Sequence, residues 1–124
     1  MIGTADGYAD FLRMLLNHGE LNGHRFLNES SVKEIYSPHT QLENDYGYNG
    51  YNLWITSKLY KEKGYGDKGL WTGGGYEGTH FWIDPKRDFV GLIMTQMFET
   101  PKAGHGRDNE IRGEVYTQIF KNEE

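Results

Sequence analysis

Cysteine is absent from this sequence, so neither a disulfide framework nor a thiolate metal site can hold the chain together. That absence does not fix a compartment. Long apolar runs are missing too. No stretch approaches the roughly 20 residues needed to cross a bilayer, so no membrane span is expected. The opening Met1, Ile2, Gly3, Thr4 has no basic-then-apolar leader pattern. Basic clusters are also lacking, and the net charge is −5. Nucleic acid is therefore not an expected partner, because binding it depends on neutralising phosphates. The five histidines form neither H-x-H nor H-E-x-x-H, so the sequence calls for no metal and no cofactor. Glu99, Asp108 and Glu110 near His105 read as a polar loop and a helix start.

Aliphatic residues are scarce, and something else must build the core. Hydrophobic residues amount to 36% of 124 residues, and nine Tyr, six Phe and three Trp make aromatics 15%. Large rings can supply the buried area that aliphatic side chains do not. Seventeen glycines lie scattered among these rings without a collagen-like period, which suits turns and bulges.

The periodicity divides the chain into elements. Thr4 can cap a helix with Asp6 in its first turn, and Tyr8, Phe11, Leu12, Leu15 and Leu16 share one face. Gly19 is a natural stop, and Asn22-Gly23 is a turn signal. Asn28 can cap a second helix that buries Val32, Ile35 and Tyr36. Residues 37–45 read as a loop. Residues 46–60 read as strand, broken near Asn49-Gly50, because aromatic and β-branched residues dominate. Stacking of this tyrosine-rich run on sugars or peptides is the functional alternative to plain strand packing. Residues 61–67 read as a turn and 68–73 as a strand. Thr79, Phe81 and Ile83 alternate with His80 and Trp82, a strand pattern. After a turn at residues 84–87, the stretch that begins at Phe89 and ends at Gln96 is nearly all apolar. That composition suits a strand buried on both faces or near a sheet centre. As the last strand in the chain, it becomes an exposed edge unless a partner covers it. Ile111, Val115 and Ile119 then mark a closing amphipathic helix. The expected class is α+β, an antiparallel sheet with flanking helices.

Residues 73–78 match G-x-G-x-x-G by letter. A dinucleotide loop must open a helix, whereas the residues from Thr79 alternate as a strand, so the nucleotide reading fails. A tight glycine hairpin accounts for the same letters.

The run Trp71-Thr72-Gly73-Gly74-Gly75-Tyr76-Glu77-Gly78-Thr79-His80-Phe81-Trp82-Ile83-Asp84-Pro85, followed by Phe89-Val90-Gly91-Leu92-Ile93-Met94-Thr95-Gln96, resembles the C-terminal part of the penicillin-recognising serine hydrolases. These are the class C-like β-lactamases, D,D-peptidases and related esterases. The segment from Gly3 through Asn17, the turn from Gly19 to Gly23, and the closing stretch from Arg107 to Tyr116 are similar to that family as well. The resemblance covers nearly the whole chain but only about the last third of a complete member. It implies that residues 1–124 form a single partial domain with a partial β-lactamase/D,D-peptidase-like fold. It also implies that Trp71, Gly73, Gly74 and Gly75 line one wall of a substrate cleft. In the gapless register Gly73 stands where the family places a basic or aromatic residue, and the oxyanion donor is the N–H of Tyr76. If Trp71-Thr72-Gly73 fills that pattern instead, the donor is the N–H of Gly74. Both registers stay open at this point.

The family needs S-x-x-K, a serine nucleophile with a lysine one turn later. Ser30-Ser31-Val32-Lys33 matches by letter, yet burying Val32, Ile35 and Tyr36 turns Ser30 and Lys33 toward water. An exposed lysine keeps a high pKa and is a poor base. The family's Y-x-N is absent, since Tyr48-Asn49 and Tyr51-Asn52 lack the spacer. The expectation is a C-terminal segment of a serine hydrolase, inactive alone, that meets a small-molecule or peptide substrate only when a missing N-terminal part completes it. The alternative is a non-catalytic module, with homo-oligomer formation through the edge from Phe89 to Gln96.

Overall fold

A computed structural model describes residues 3–41, 47–75, 78–96 and 107–123. Helix α1 (Ala5–Leu16) begins where expected. The Thr4 hydroxyl accepts the Gly7 N–H at 3.1 Å, and Asp6 sits in the first turn. It ends with Gly19, whose N–H donates back to the Met14 carbonyl at 2.8 Å. Strands β1 (Glu20–Leu21) and β2 (His24–Arg25) close a two-residue hairpin. Asn22 and Gly23 both have positive φ, the geometry such a hairpin requires. Helix α2 (Glu29–Tyr36) follows Asn28 and buries Val32 completely, with Ile35 and Tyr36 partly buried.

The remaining strands form one six-stranded antiparallel sheet in chain order: β3 (Thr40–Gln41), β4 (Gly47–Asn49), β5 (Trp54–Thr56), β6 (Trp71–Gly74), β7 (His80–Asp84) and β8 (Phe89–Ile93). The α+β class is therefore correct. Alternation along β7 separates two faces. Phe81 and Ile83 join Trp71, Ile55, Leu12, Leu15 and Val32 in the core beneath α1 and α2. His80, Trp82 and Asp84 look to the other side, where α3 (Lys58–Glu62) and α4 (Arg107–Ile119) lie.

Several sequence readings need correction, among them residues 37–45, read as loop, where Thr40–Gln41 pairs with β4 as β3. The stretch expected to stay extended to residue 60 turns helical at Lys58. Ser57 caps that turn by accepting the Leu59 N–H at 3.2 Å, a local signal that outweighs strand propensity. The apolar stretch after Phe89 is strand only to Ile93; it lies at the edge of the sheet, as its place as last strand suggested, and not at the centre that its composition suggested. Its burial comes from the faces: α1 packs on it from one side, and Phe120, just past the end of α4, meets Phe89 edge-on from the other. The closing helix turns a different side inward from its apolar spacing. Arg112, Gly113, Tyr116 and Phe120 face the sheet and α3, while Ile111 and Ile119 stay 45% and 61% exposed.

Polar pairing explains that rotation. Asp84, 1% exposed, accepts the Lys86 and Arg87 N–H groups through Oδ1. Its Oδ2 accepts Arg87 Nη1 at 2.8 Å and the Tyr116 hydroxyl at 2.7 Å. Arg87 continues to Asp67 at 3.0 Å and Glu123 at 2.7 Å, with its guanidinium over the Tyr116 and Phe120 rings. Burial and the bond to Asp84 hold the Tyr116 phenol far above its ordinary pKa. This end of α4 is clamped by charge rather than by aliphatic packing.

Candidate functional site

The glycines of β6 are required by what lies opposite them. Across the β6–β7 ladder, Gly73 faces Phe81 and Gly74 faces His80. A Cβ at Gly73 would stand 2.5 Å from the Phe81 ring, and one at Gly74 would stand 2.5 Å from His80 Nδ1. Neither position accepts a side chain without displacing its neighbour. A basic or aromatic residue at Gly73, the gapless register of the motif, would collide with the core.

The ladder also sets the direction of the Gly74 amide. The Gly75 N–H donates to the Thr79 carbonyl at 2.7 Å. That bond makes Gly74 and His80 a pair that exchange no bonds with each other, so the Gly74 N–H and C=O point away from β7. They point to the β5 side. There β5 pairs with β6 only at Trp71 and Thr72, and before Trp54 the chain bends through Asn52 at φ 56°. The strand runs on past its neighbour, and Gly74 is exposed.

Two cavities flank this free strand end. One of about 400 Å³ lies on the α3–α4 face, walled by Trp54 and Tyr60, floored by Gly73–Gly75, and closed by His80, Asp108 and Arg112. The other, about 340 Å³, lies on the α1 face between Tyr8, Asn49, Asn52, Trp54 and Gly74. Trp54, 51% exposed, borders both. Burial raises the Tyr8 phenol above its ordinary pKa, so at neutral pH it is a hydroxyl donor and not a base.

Charges gather at the first cavity. His80 Nδ1 lies 3.5 Å from Asp108 Oδ2, and Arg112 Nη1 lies 4.0 Å from the same oxygen. Arg112 is 3% exposed. Its Nε donates to the Tyr65 carbonyl at 2.6 Å, its Nη2 donates to Asn109 Oδ1, and its guanidinium rests 5.6 Å from the Tyr60 ring. Burial pulls the Arg112 pKa down while Asp108 opposes it. An arginine so placed remains a cation. It lies in line with Asp108 and with His80, whose ring stands against Gly74.

The expected site residues fall in different places. Gly73 and Gly74 border both cavities, and Gly75 borders the first. Trp71 is 6% exposed, stacked on Tyr36 with ring centroids 4.3 Å apart, and borders neither cavity. Tyr76, the donor of the gapless register, lies outside the described residues, as does His105. Ser30 and Lys33 are exposed on α2, where Val32 points inward. Among the described residues no serine lines either cavity, and no group of three or more His, Asp or Glu could hold a metal ion. The pairing of His80 with Asp108 and Arg112 was not visible in the sequence, because only the sheet register brings β7 under α4. The arrangement offers a backbone N–H donor, an aromatic wall and a histidine–carboxylate pair, with no serine among the described residues that line it. No protein-family model and no curated protein matches the chain.

Proposed function

We propose that this chain is the C-terminal part of a serine hydrolase of the β-lactamase and D,D-peptidase kind, contributing one wall of an acyl-transfer cleft and inactive by itself. The observation that carries the reading is the free end of β6. Gly74 turns its N–H away from β7, past the last residue paired with β5, beside a cavity on each face. Such a strand can pair with a substrate amide or ester and donate to a developing oxyanion. This favours the register in which Trp71-Thr72-Gly73 fills the family pattern and Gly74 is the donor. The exposure of Ser30 and Lys33 supports inactivity in isolation. An assay of the purified chain with nitrocefin and with p-nitrophenyl acetate tests it. The expected result is no turnover above buffer; turnover lost in Ser30→Ala would overturn it.

A second reading, a strand-pairing module, is favoured by one observation. β8 is the last strand of the sheet and carries no charge or proline between Phe89 and Ile93. Protected edges usually have such breakers. Self-association through the segment from Phe89 to Gln96 belongs to this reading.

A further inference from the structure

The first cavity beside Gly74 is charged, and the second is not. No Asp, Glu, Lys, Arg or His is among the described residues that line the second. Its polar side chains are those of Tyr8, Asn49, Asn52 and Trp54. Among the described residues, none of these side chains has a hydrogen-bond partner. Asn49 and Trp54 bond through their backbone carbonyls instead, which accept the His39 N–H and the Thr72 hydroxyl. Unspent polar groups gathered at one cavity are free to meet a ligand. The local backbone sets two of them side by side. The Gly50 N–H donates to the Leu53 carbonyl at 2.9 Å, so the next pair out, Asn49 and Trp54, exchange no bonds with each other. Their side chains stand together on the outer face of the sheet, with Cβ atoms about 5 Å apart. Tyr8 closes the cavity from α1 on the inner face.

We propose that this cavity and the Trp54 ring form a binding site for one neutral sugar ring. The inference goes beyond the hydrolase reading and does not need it, since a sugar site requires no nucleophile and suits a binding module equally. The half-exposed indole of Trp54 offers a platform for the C–H face of a pyranose. Of the aromatic run at residues 46–60, Trp54 carries this role: Tyr48 packs against the core and Tyr51 stacks on His39. The two amides, and the Tyr8 phenol that burial keeps protonated, both donate and accept, as sugar hydroxyls do. A lining without charge gives an ion nothing to pair with, and an unpaired ion is costly to bury. At about 340 Å³ the cavity lies near the low end of the roughly 300–1,000 Å³ of ligand pockets, which suits one ring rather than a chain. A peptide fits less well. Past Thr72, Gly74 is the one described residue of β6 whose backbone turns to this side, too little for an added strand.

The test is an NMR titration of the ¹⁵N-labelled chain with the methyl glycosides of glucose, mannose and N-acetylglucosamine, each to about 50 mM. At least one should move the Trp54 indole and the Asn49 and Asn52 side-chain amide signals along a saturating curve, with a Kd of about 1–10 mM. The buried Trp71 and Trp82 indoles should stay in place, and their unchanged signals also report that each variant is folded. Trp54→Ala should abolish saturation, Trp54→Phe should retain it, and Asn49→Ala should weaken it about tenfold. Glycerol, which has hydroxyls but no ring face, should leave the Trp54 indole unmoved. Acetate, methylammonium and acetylglycine N-methylamide should do the same. No saturable shift with any of the three sugars, an equal shift with glycerol, or undiminished sugar binding by Trp54→Ala would overturn the site. A saturable shift with the peptide amide but with no sugar would overturn it in favour of a peptide ligand. None of these outcomes depends on ester hydrolysis, so the sugar site and the hydrolase reading fail separately.

Discussion

The two ends of α4 hold the same kinds of residue in different states. At the C-terminal end, Asp84, Arg87, Asp67, Tyr116 and Glu123 are joined by short contacts of 2.7 to 3.0 Å. At the N-terminal end, His80, Asp108 and Arg112 meet at 3.5 to 4.0 Å around a cavity. The first cluster is saturated, with Asp84 1% exposed. The second leaves the histidine and carboxylate partly open, with side chains 26% and 20% exposed. Saturated charge locks a helix to a sheet; loosely met charge beside a cavity is free to act on something else.

Substitution should separate the two ends. Asp84→Ala removes the buried carboxylate that Arg87 and the Tyr116 hydroxyl share, leaving Arg87 only Asp67 and Glu123, and should cost about 2–4 kcal/mol in urea unfolding. Asp108→Ala should cost less, about 1–2 kcal/mol, since Arg112 keeps its bonds to Tyr65 and Asn109 and His80 is part exposed. Equal costs would erase the distinction. Next in size, Gly73→Ala should cost about 1–3 kcal/mol by driving a methyl into the Phe81 ring. Gly74→Ala should cost less, because the His80 ring can swing into the cavity. Thermal melts of the pair decide it.

A smaller effect concerns pH. Burial works to raise the Asp67 pKa, but the Lys68 N–H, Arg87 and Lys61 together hold it below its ordinary 3.8. A carboxylate with a depressed folded pKa contributes stability above its unfolded pKa and loses it as pH falls through the folded value. Asp67→Asn should therefore be less stable than the parent chain at pH 6. The gap should shrink below pH about 3.8, read from urea midpoints across that range. Smallest of all, Ser30→Ala should change stability by no more than about 0.5 kcal/mol, as an exposed side chain with no structural part.

The sequence made some of this legible. The alternation from Thr79 to Ile83 correctly put Phe81 and Ile83 on one face and His80 and Trp82 on the other, and Thr4, Gly19 and Asn22-Gly23 marked their turns and caps, because each acts within a few residues. Helix α3 was missed because a single hydroxyl, on Ser57, outweighed a run of strand-forming neighbours. The inner face of α4 was misread because Arg112 and Tyr116 count as polar by letter. Their stems and rings are buried only through partners on β7 and near Tyr65, far away in sequence. The glycine strand was legible as a site candidate from Gly73 and Gly74. The His80–Asp108 pair was not, since no spacing rule connects the middle of a sheet with the first turn of a distant helix.

The central claim is that this chain supplies a cleft wall but no nucleophile. Ester hydrolysis measures it most directly: p-nitrophenyl acetate turnover by the purified chain beside Ser30→Ala and Lys33→Ala. The account predicts that all three match buffer. Turnover by the parent chain that disappears in Ser30→Ala and Lys33→Ala would contradict it.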